Sequence, residues 1–343
     1  MLKRACFFSN EKLESIEQEQ YSLQDINILK DLGFEVIIAN TFSKIPLNCD
    51  LYFSWWASGS ILPLIKAKLC SKPIIIVAGG NEVMLYQDSK YGIAAGYLAT
   101  PLYKKIATQL CLRFASRIIV VSNFMLDNCI KLDKKQPVVV HNSVNVDKFF
   151  IADIAREYVT MIFKSEKNVV RLKRGEIFLQ AIPHVLKKYP DQKFVVIGNK
   201  DNYYPRLKEM ILELKIENNI DFVGSIKNEE VVEWMQKSKA YVQISDTETF
   251  GVAIAEAMSC GTQVVVSNKG AIPEVVGRNG IYVDHNDSIS VSNGILTILD
   301  DNKIDYMMKS NEIRNHIVEN FSYEIRKEKI KSIIAKLVVL DNE

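Results

Sequence analysis

Several features that mark other classes of protein are missing from this sequence. No apolar run approaches the roughly 18 residues that a membrane-spanning helix needs. Residues 1–4 lead directly into an apolar segment that is typical of a first strand, so we expect no signal sequence. The 43 basic and 41 acidic residues nearly balance, which indicates neither a nucleic acid nor an acidic molecule as partner.

The cysteines argue against two further classes of site. All six are scattered along the chain, and none belongs to a C-x-x-C pair. Scattered cysteines of this kind are typically small core residues of proteins in a reducing compartment. They favour neither a disulfide framework nor a zinc site. The sequence therefore predicts a cytoplasmic protein.

A glycine-rich dinucleotide motif is also missing. A nicotinamide dehydrogenase would carry G-x-G-x-x-G after its first strand. Residues 7–11, Phe-Phe-Ser-Asn-Glu, stand at that place instead. A dehydrogenase is therefore disfavoured, although its fold would share the alternation of strands and helices found here.

That alternation indicates an α/β protein with doubly wound parallel sheets. A length of 343 residues favours two domains. In the first half the predicted strands are 5–8, 35–39, 51–54, 73–77, 117–121 and 137–141, and the predicted helices are 23–32, 61–69, 101–115 and 123–132. In the second half the predicted helices are 176–189, 204–214 and 228–238, and the predicted strands are 193–197 and 220–223.

The most informative stretch contains two glutamates, Glu248 and Glu256, between the strand-like runs 240–244 and 263–266. Residues 251–259 have helical length, and Gly261 stands where a helix C-terminal glycine belongs. Glu248 should then lie at the carboxyl end of a strand, where open α/β sheets bind ligands. A solvated carboxylate near a helix start is the simpler alternative.

Glu256 is harder to explain as a surface residue. Its neighbours 253–258 are otherwise apolar, so we expect this carboxyl to be buried. A buried carboxyl needs hydrogen-bonding partners, and a ligand rich in hydroxyls would supply them.

These residues resemble a known family. Glu248 and Glu256, separated by seven residues that include Phe250-Gly251 and followed by Gly261, resemble the E-x7-E element of glycosyltransferase family four. Residues 262–267, 270–276 and 279–283 resemble the strand, the G-x-x-x-E turn and the N-G strand that follow in this family. The resemblance implies the GT-B architecture, in which two doubly wound Rossmann-like domains face each other across a cleft.

The resemblance also implies domain boundaries. We expect an acceptor-side domain over 1–146, a nucleotide-sugar donor domain over 147–318, and a C-terminal helix over 319–343 that crosses back to the first domain. A plain amphipathic terminal helix is the alternative. Residues 141–147 resemble the interdomain N-G-V-D element, with Ser143 in place of the glycine. If Asn142 or Ser143 needs a positive φ, Ser143 is the costlier occupant.

For the reaction itself, the resemblance points to three residues: Glu248, Arg171 and Lys173. Arg171 and Lys173 resemble the family's R…K-G element, with shortened spacing, and would neutralise the diphosphate. Arg174 is the competing choice, and a solvated basic face is the alternative to the whole assignment. Glu248 would hold the hydroxyls of the donor sugar, and it is not our candidate for a general base.

The remaining donor contacts follow from the same resemblance. Glu256 would hold the ribose hydroxyls, and the base would lie against the loop that contains Gly224 and Ser225. Backbone N–H groups of Phe250, Gly251 and Val252 at a helix start would add anion stabilisation.

The acceptor side is less defined. The loop with Gly79, Gly80, Asn81 and Glu82 follows an apolar strand, so its glycines are candidates for close backbone approach to the acceptor. Many relatives place a histidine in this region, but this chain has none there. A general base is therefore not assigned, and Asn81 and Glu82 remain candidates.

The resemblance implies a retaining glycosyltransferase that moves a hexose-type sugar from a UDP- or GDP-sugar to an acceptor hydroxyl. The acceptor would be a glycan or a lipid-linked molecule in cell-surface glycan or glycolipid synthesis. We expect no cofactor and no metal, because no acidic cluster requires one. The alternatives are a nucleotide-sugar epimerase of similar shape and a non-catalytic nucleotide-sugar-binding protein.

Residues 102–117 are a candidate for peripheral membrane contact. Leu102, Ile106, Leu110 and Phe114 recur at helical spacing, and Lys104, Lys105, Arg113 and Arg117 lie among them. A basic amphipathic helix of this kind can lie on an anionic membrane, here the inner face. An ordinary helix with its apolar side in the core is the alternative.

Overall fold

The computed structural model describes residues 3–88, 93–133 and 135–339, and the chain divides into two compact units. Unit 1 comprises the residues up to Ser143 together with those from Tyr323 onward, and unit 2 comprises Val144–Ser322. The boundaries expected from the sequence follow residues 146 and 318. No helix among the described residues is both long and apolar enough to cross a membrane.

Unit 1 is built on a six-stranded parallel sheet in the order β2-β1-β3-β4-β7-β8. Its strands are β1 (Lys3–Phe8), β2 (Phe34–Ala39), β3 (Leu51–Trp55), β4 (Ile74–Ala78), β7 (Arg117–Val120) and β8 (Val138–Val139), and β5 (Leu85–Asp88) pairs with β6 (Ile93–Gly96) in a separate antiparallel ribbon. Its helices are α1 (Leu13–Gln18), α2 (Gln20–Asp31), α3 (Ile61–Leu69), α4 (Leu102–Phe114) and α5 (Asn123–Leu132), followed after unit 2 by α14 (Tyr323–Ile334).

Unit 2 has a second six-stranded parallel sheet, in the order β11-β10-β9-β12-β13-β14. The strands are β9 (Tyr158–Ile162), β10 (Lys193–Ile197), β11 (Ile220–Gly224), β12 (Ser238–Gln243), β13 (Gln263–Ser267) and β14 (Ile281–Val283). The helices are α6 (Lys167–Lys173), α7 (Gly175–Leu186), α8 (Tyr204–Glu213), α9 (Asn228–Lys237), α10 (Val252–Ser259), α11 (Ile272–Val276), α12 (Ser288–Leu299) and α13 (Lys303–Phe321).

Both sheets are buried on two faces, which explains their strand sequences. Every residue of β3, β4 and β13 is buried. Strands covered on both sides read as continuous apolar runs rather than alternating ones, as in Ile-Ile-Ile-Val-Ala of β4. This burial agrees with the doubly wound fold class, which the alternation of strands and helices in the sequence predicts.

Strand order defines a switch point in each sheet. In unit 1 the chain passes from β1 to β2 on one side and then crosses to β3 on the other side of β1. In unit 2 it runs from β9 through β10 to β11 and then returns to β12 on the opposite side of β9. Open α/β sheets bind ligands at the carboxyl ends of the strands at such points. The segments after β1 and β3, and after β9 and β12, are therefore where ligands are expected to bind.

The structure differs from several expectations. The helix α6 was not predicted, because Arg174 ends it at a φ of 57° without the usual glycine. The strand predicted over 137–141 is reduced to the two residues of β8. The strand β9 and the ribbon β5–β6 were missed. Neither Asn142 nor Ser143 has a positive φ, so the serine carries no backbone strain.

The terminal helix α14 is bound to unit 1 by a buried ion pair. The Arg326 guanidinium donates to both carboxylate oxygens of Asp25, over 2.7 Å and 2.8 Å, and both side chains are almost completely buried. The Trp55 indole N–H donates to the same carboxylate over 2.8 Å. Arg326 also donates to the backbone carbonyls of Val140 and His141. Every charge in this cluster has partners, as a buried pair requires.

We predict that Arg326→Ala lowers the free energy of unfolding by about 3–5 kcal/mol, because it leaves the Asp25 carboxylate buried without its counter-charge. The matched control is Lys327→Ala on the same helix, which removes an ion pair with the more exposed Asp31 and should cost about 1 kcal/mol or less. Urea unfolding measures both values. Equal losses for the two variants would contradict the assigned role of the buried pair.

Candidate functional site

The site in unit 2 lies at the switch point of its sheet. Residues 244–251 follow β12 and lead into α10, and this loop carries Glu248. The cation-rich end of α6 packs against the same loop, since the Asp246 N–H donates to the Leu172 carbonyl over 2.9 Å. Two segments that are far apart in sequence therefore meet at the edge where ligands bind.

Three donors hold one oxygen of the Glu248 carboxylate. Its Oε1 accepts hydrogen bonds from the Lys173 ammonium, from Gln243 Nε2 over 2.6 Å and from Ser245 Oγ over 2.9 Å. The side chain is 16% exposed, so Glu248 is not the solvated carboxylate of the simpler alternative. Among the described residues, no hydrogen bond reaches its other oxygen, Oε2.

The backbone of Glu248 is supported by the turn at Gly270. A Cβ at this position would lie 2.5 Å from the Glu248 nitrogen and 2.6 Å from its carbonyl oxygen. Gly270 also has a φ of 56°, a conformation that favours glycine. The next residue, Ala271, donates its N–H to the Glu248 carbonyl over 2.9 Å. Only glycine fits this position, which places the loop after β13 directly on Glu248.

The predicted cations have different surroundings. Arg171 and Lys173 lie in the last turn of α6 and are partly exposed. Arg174 is 7% exposed, and its guanidinium donates to the Asp246 carboxylate. The other oxygen of Asp246 contacts His285 Nε2 over 2.6 Å. Arg174 is therefore committed to a buried network, whereas Arg171 and Lys173 are at the surface of the site.

The network of Arg174, Asp246 and His285 was not predicted from the sequence. Asp246 follows β12, and His285 follows β14, so both lie at the carboxyl edge of the sheet. A systematic search for polar residues just after each strand would have found them. Within the described ranges, no group of three or more His, Cys, Asp or Glu side chains is arranged to hold a metal ion.

The second glutamate of the pair, Glu256, lies in α10. Desolvation by burial raises the pKa of its carboxyl to about 8, against an opposing effect of Lys148, so it is mostly protonated at neutral pH. Glu248 and Glu256 both act on Tyr241, whose hydroxyl pKa is raised well above its usual value by burial and by these two carboxyls. Both glutamates therefore act electrostatically on the same buried hydroxyl.

The ends of α10 explain its sequence. Gly251 begins the helix with a φ of 97°, and Val252 is its first residue. At the other end, Gly261 donates to the Met258 carbonyl over 2.9 Å, and Thr262 donates to the Ala257 carbonyl over 3.0 Å. This is a Schellman motif, and Gly261 has the left-handed φ that it needs. Phe250 is buried, with its ring 5.5 Å from that of Phe321, so it anchors the helix start.

Two predicted donor residues lie farther along the sheet. Gly224 ends β11, and Ser225 follows it, with β10 and β9 between that strand and β12. Gly224 has a φ of 83° and no atom within 4 Å of an added Cβ. The aromatic ring of Phe222 lies 5.3 Å from that of Tyr204 beside it.

The acceptor-side candidates belong to unit 1. A Cβ on Gly79 would lie 2.6 Å from Trp55, and one on Gly80 would lie 2.7 Å from Trp56. These glycines therefore make room for indole rings, a packing role that was not predicted from the sequence. Asn81 is exposed. Glu82 is buried, and desolvation raises the pKa of its carboxyl to about 7.

Comparison with known proteins identifies a matching family model and several similar proteins. The model of the family described as glycosyl transferases group 1 matches residues 157–316. A phosphatidylinositol N-acetylglucosaminyltransferase subunit from Arabidopsis thaliana is 24% identical over 238 residues, which are 63% of this chain and 52% of that protein. The O-antigen chain mannosyltransferase RfbU of Salmonella typhimurium is 23% identical over 78% of this chain and 77% of its own length.

Solved structures show the fold of the entire chain. HepE from Anabaena, in complex with UDP and glucose, superimposes with a TM-score of 0.76 at 17% identity, over 98% of this chain and all of that one. The chain spans about half the length of several curated relatives, including the Arabidopsis protein. The predicted GT-B fold is confirmed, and the family model matches within the predicted donor domain. The protein thus has the GT-B fold and carries, over residues 157–316, a domain of the glycosyl transferases group 1 family.

Proposed function

We propose that this protein is a retaining glycosyltransferase that moves a hexose-type sugar from a UDP- or GDP-sugar to an acceptor hydroxyl. One observation carries the proposal. Glu248 is fixed at the switch point of unit 2 through Oε1 alone, so that Oε2 is left to accept a hydroxyl of the donor sugar. The HepE complex contains UDP bound to a protein of the same fold, which supports a UDP-sugar as the donor.

Lys173 links the sugar to the diphosphate. An ammonium group has three donors, and one of them is used by Glu248. The other two can bond phosphate oxygens, and Arg171 adds a second positive charge from the same helical turn. The first N–H groups of α10, at Gly251 and Val252, add donors where negative charge develops on the leaving group. Arg174 instead positions this turn through Asp246.

Glu248 acts by binding in this proposal, because a carboxylate engaged by three donors is a poor base or nucleophile. Glu256 is the partner of the ribose hydroxyls, since a mostly protonated carboxyl both donates and accepts hydrogen bonds. Charge neutralisation by Arg171 and Lys173 replaces the metal that other transferases use, so the proposal includes no metal and no cofactor. An epimerase or a binding protein would need the same donor site but no acceptor.

The relatives support a role in cell-surface glycan or glycolipid synthesis. The Arabidopsis protein is named for transfer of N-acetylglucosamine to phosphatidylinositol, and RfbU is named for mannose transfer to O-antigen. We propose that this protein acts in the cytoplasm, at the inner face of a membrane that holds such acceptors.

The exposed face of α4 supports peripheral membrane contact. Leu102 is 72% exposed and Ile106 is 49% exposed, and Leu110 and Phe114 are exposed on later turns of the same helix. The core side is formed by other residues, among them Cys111 and Leu112. The apolar stripe therefore does not pack into unit 1, as the alternative required. Lys104 and Arg113 are exposed on the same helix, which suits an anionic lipid surface.

We predict that Arg171→Ala and Glu256→Ala each weaken nucleotide binding about tenfold or more, because each removes a hydrogen bond to the bound nucleotide. Calorimetric titration with UDP, GDP and ADP measures the affinities. The matched controls are Arg206→Ala and Glu233→Ala, on exposed faces of α8 and α9. Unchanged affinity in folded variants would show that the two residues are wrongly assigned, and failure of the wild type to bind any of these nucleotides would defeat the transferase proposal.

We predict that the wild type co-sediments with vesicles that contain phosphatidylglycerol and much less with pure phosphatidylcholine. Ile106→Glu and the double variant Lys104→Glu/Arg113→Glu should each reduce this binding about tenfold, through lost apolar contact and reversed charge. Ile304→Glu, at an exposed apolar position of unit 2, is the control and should bind as the wild type does. Binding that does not depend on anionic lipid would contradict the assignment.

A further inference from the structure

The switch point of unit 1 carries an aromatic cluster. Trp55 ends β3, Trp56 follows it, and Tyr21 lies in α2. The ring of Trp56 lies 5.4 Å from that of Trp55 and 5.6 Å from that of Tyr21, both at steep angles. Trp55 is completely buried, whereas Trp56 is partly exposed. The cluster thus holds one indole at the edge where an open sheet binds ligands.

Trp56 adopts a strained backbone conformation. Its φ is 68°, which is rare for a bulky side chain and costs on the order of 1–3 kcal/mol. Backbone hydrogen bonds hold this conformation on both sides. The Trp56 N–H donates to the Val77 carbonyl, and the Trp56 carbonyl accepts from the backbone N–H groups of Gly59 and Ser60. The Ser60 hydroxyl donates to the same carbonyl over 3.0 Å. Strain that is held this firmly is typical of functional positions.

The indole N–H of Trp56 is an unused donor. Its Nε1 is buried, and within the described ranges it has no hydrogen-bond partner. Leaving such a group unsatisfied costs about 1–3 kcal/mol. Trp55, by contrast, donates its own indole N–H to Asp25. This unsatisfied donor adds to the cost of holding Trp56 in its strained conformation.

Two carboxyl groups border the cluster. A Cβ added to Gly80 would lie 3.4 Å from Glu82 Oε2 and 2.7 Å from the Trp56 ring. The Glu82 carboxyl and the Trp56 indole therefore both lie next to Gly80. Glu11 follows β1 and accepts the Tyr21 hydroxyl over 3.2 Å. Carboxyl oxygens accept hydroxyl protons and repel phosphate or carboxylate groups. A neutral ligand rich in hydroxyls fits this border.

We propose that Tyr21, Trp56 and Glu11, all partly exposed, form the acceptor site, and that it binds a neutral sugar ring, so that the acceptor of the transfer is a carbohydrate. The apolar face of the ring packs on the Trp56 indole, and sugar hydroxyls donate to the Glu11 carboxylate. The role of this sugar as the acceptor rests on the proposed transferase function. The sugar-binding site itself is a property of unit 1 alone.

The test is binding of the full chain to an array of immobilised neutral oligosaccharides, followed by titration with the soluble form of those that bind. Trp56→Gly removes the indole, and glycine adopts a φ of 68° without strain, so the backbone is kept. We expect saccharide affinity to fall about tenfold or more, because the aromatic contact with the sugar ring is lost. Nucleotide affinity, which depends on unit 2, should not change.

Gly80→Ala is the second variant. It keeps the indole but places a methyl group 2.7 Å from it, which displaces the ring, and it should also weaken saccharide binding. Trp234→Phe, at a partly exposed tryptophan of unit 2, is the control and should bind as the wild type does.

Two results would overturn the inference. One is a wild type that binds nucleotide but no saccharide on the array, and the other is a Trp56→Gly variant that binds saccharide as well as the wild type does. Both leave the proposed transferase function standing. A wild type that binds saccharide through Trp56 but binds no nucleotide would instead defeat the proposed function and support the sugar site.

Discussion

The contact between Lys173 and Glu248 joins the two parts of the candidate donor site. Lys173 ends a helix that follows β9, and Glu248 lies on the loop after β12. Their ion pair therefore connects the two segments that meet at the switch point of the sheet. Gln243 and Ser245 complete the hold on the same carboxylate oxygen. Because the second oxygen is left available, the fold creates a fixed acceptor for a ligand hydroxyl beside a fixed positive charge.

The same topological rule organises both units. Each sheet reverses its winding once, and each reversal collects polar or aromatic side chains that are distant in sequence. In unit 2 these side chains pair cations with carboxylates, as in Lys173 with Glu248 and Arg174 with Asp246. In unit 1 they are mainly aromatic rings with neighbouring carboxyls.

Sequence patterns predicted the features that depend on neighbouring residues. The apolar run of β4, the span of α5 and the helix that ends at Gly261 could all be predicted because burial and capping act locally. The bond of Arg174 to Asp246, and that of Asp246 to His285, could not be predicted, because the chain brings them together only when the sheet forms. The positive φ of Trp56 depends on hydrogen-bonding partners in β4 and in the following turn, so no local sequence pattern predicts it.

The most direct test of the account compares a nucleotide-sugar with its free nucleotide. Glu248→Ala should weaken binding of the UDP- or GDP-sugar that the protein recognises about tenfold more than it changes the affinity for free UDP or GDP, because one hydrogen bond to the sugar is lost while any effect through Lys173 is common to both ligands. Calorimetry on the folded variant gives both values. Equal weakening for both ligands, or none for either, would contradict the role of Glu248 as the residue that holds the sugar.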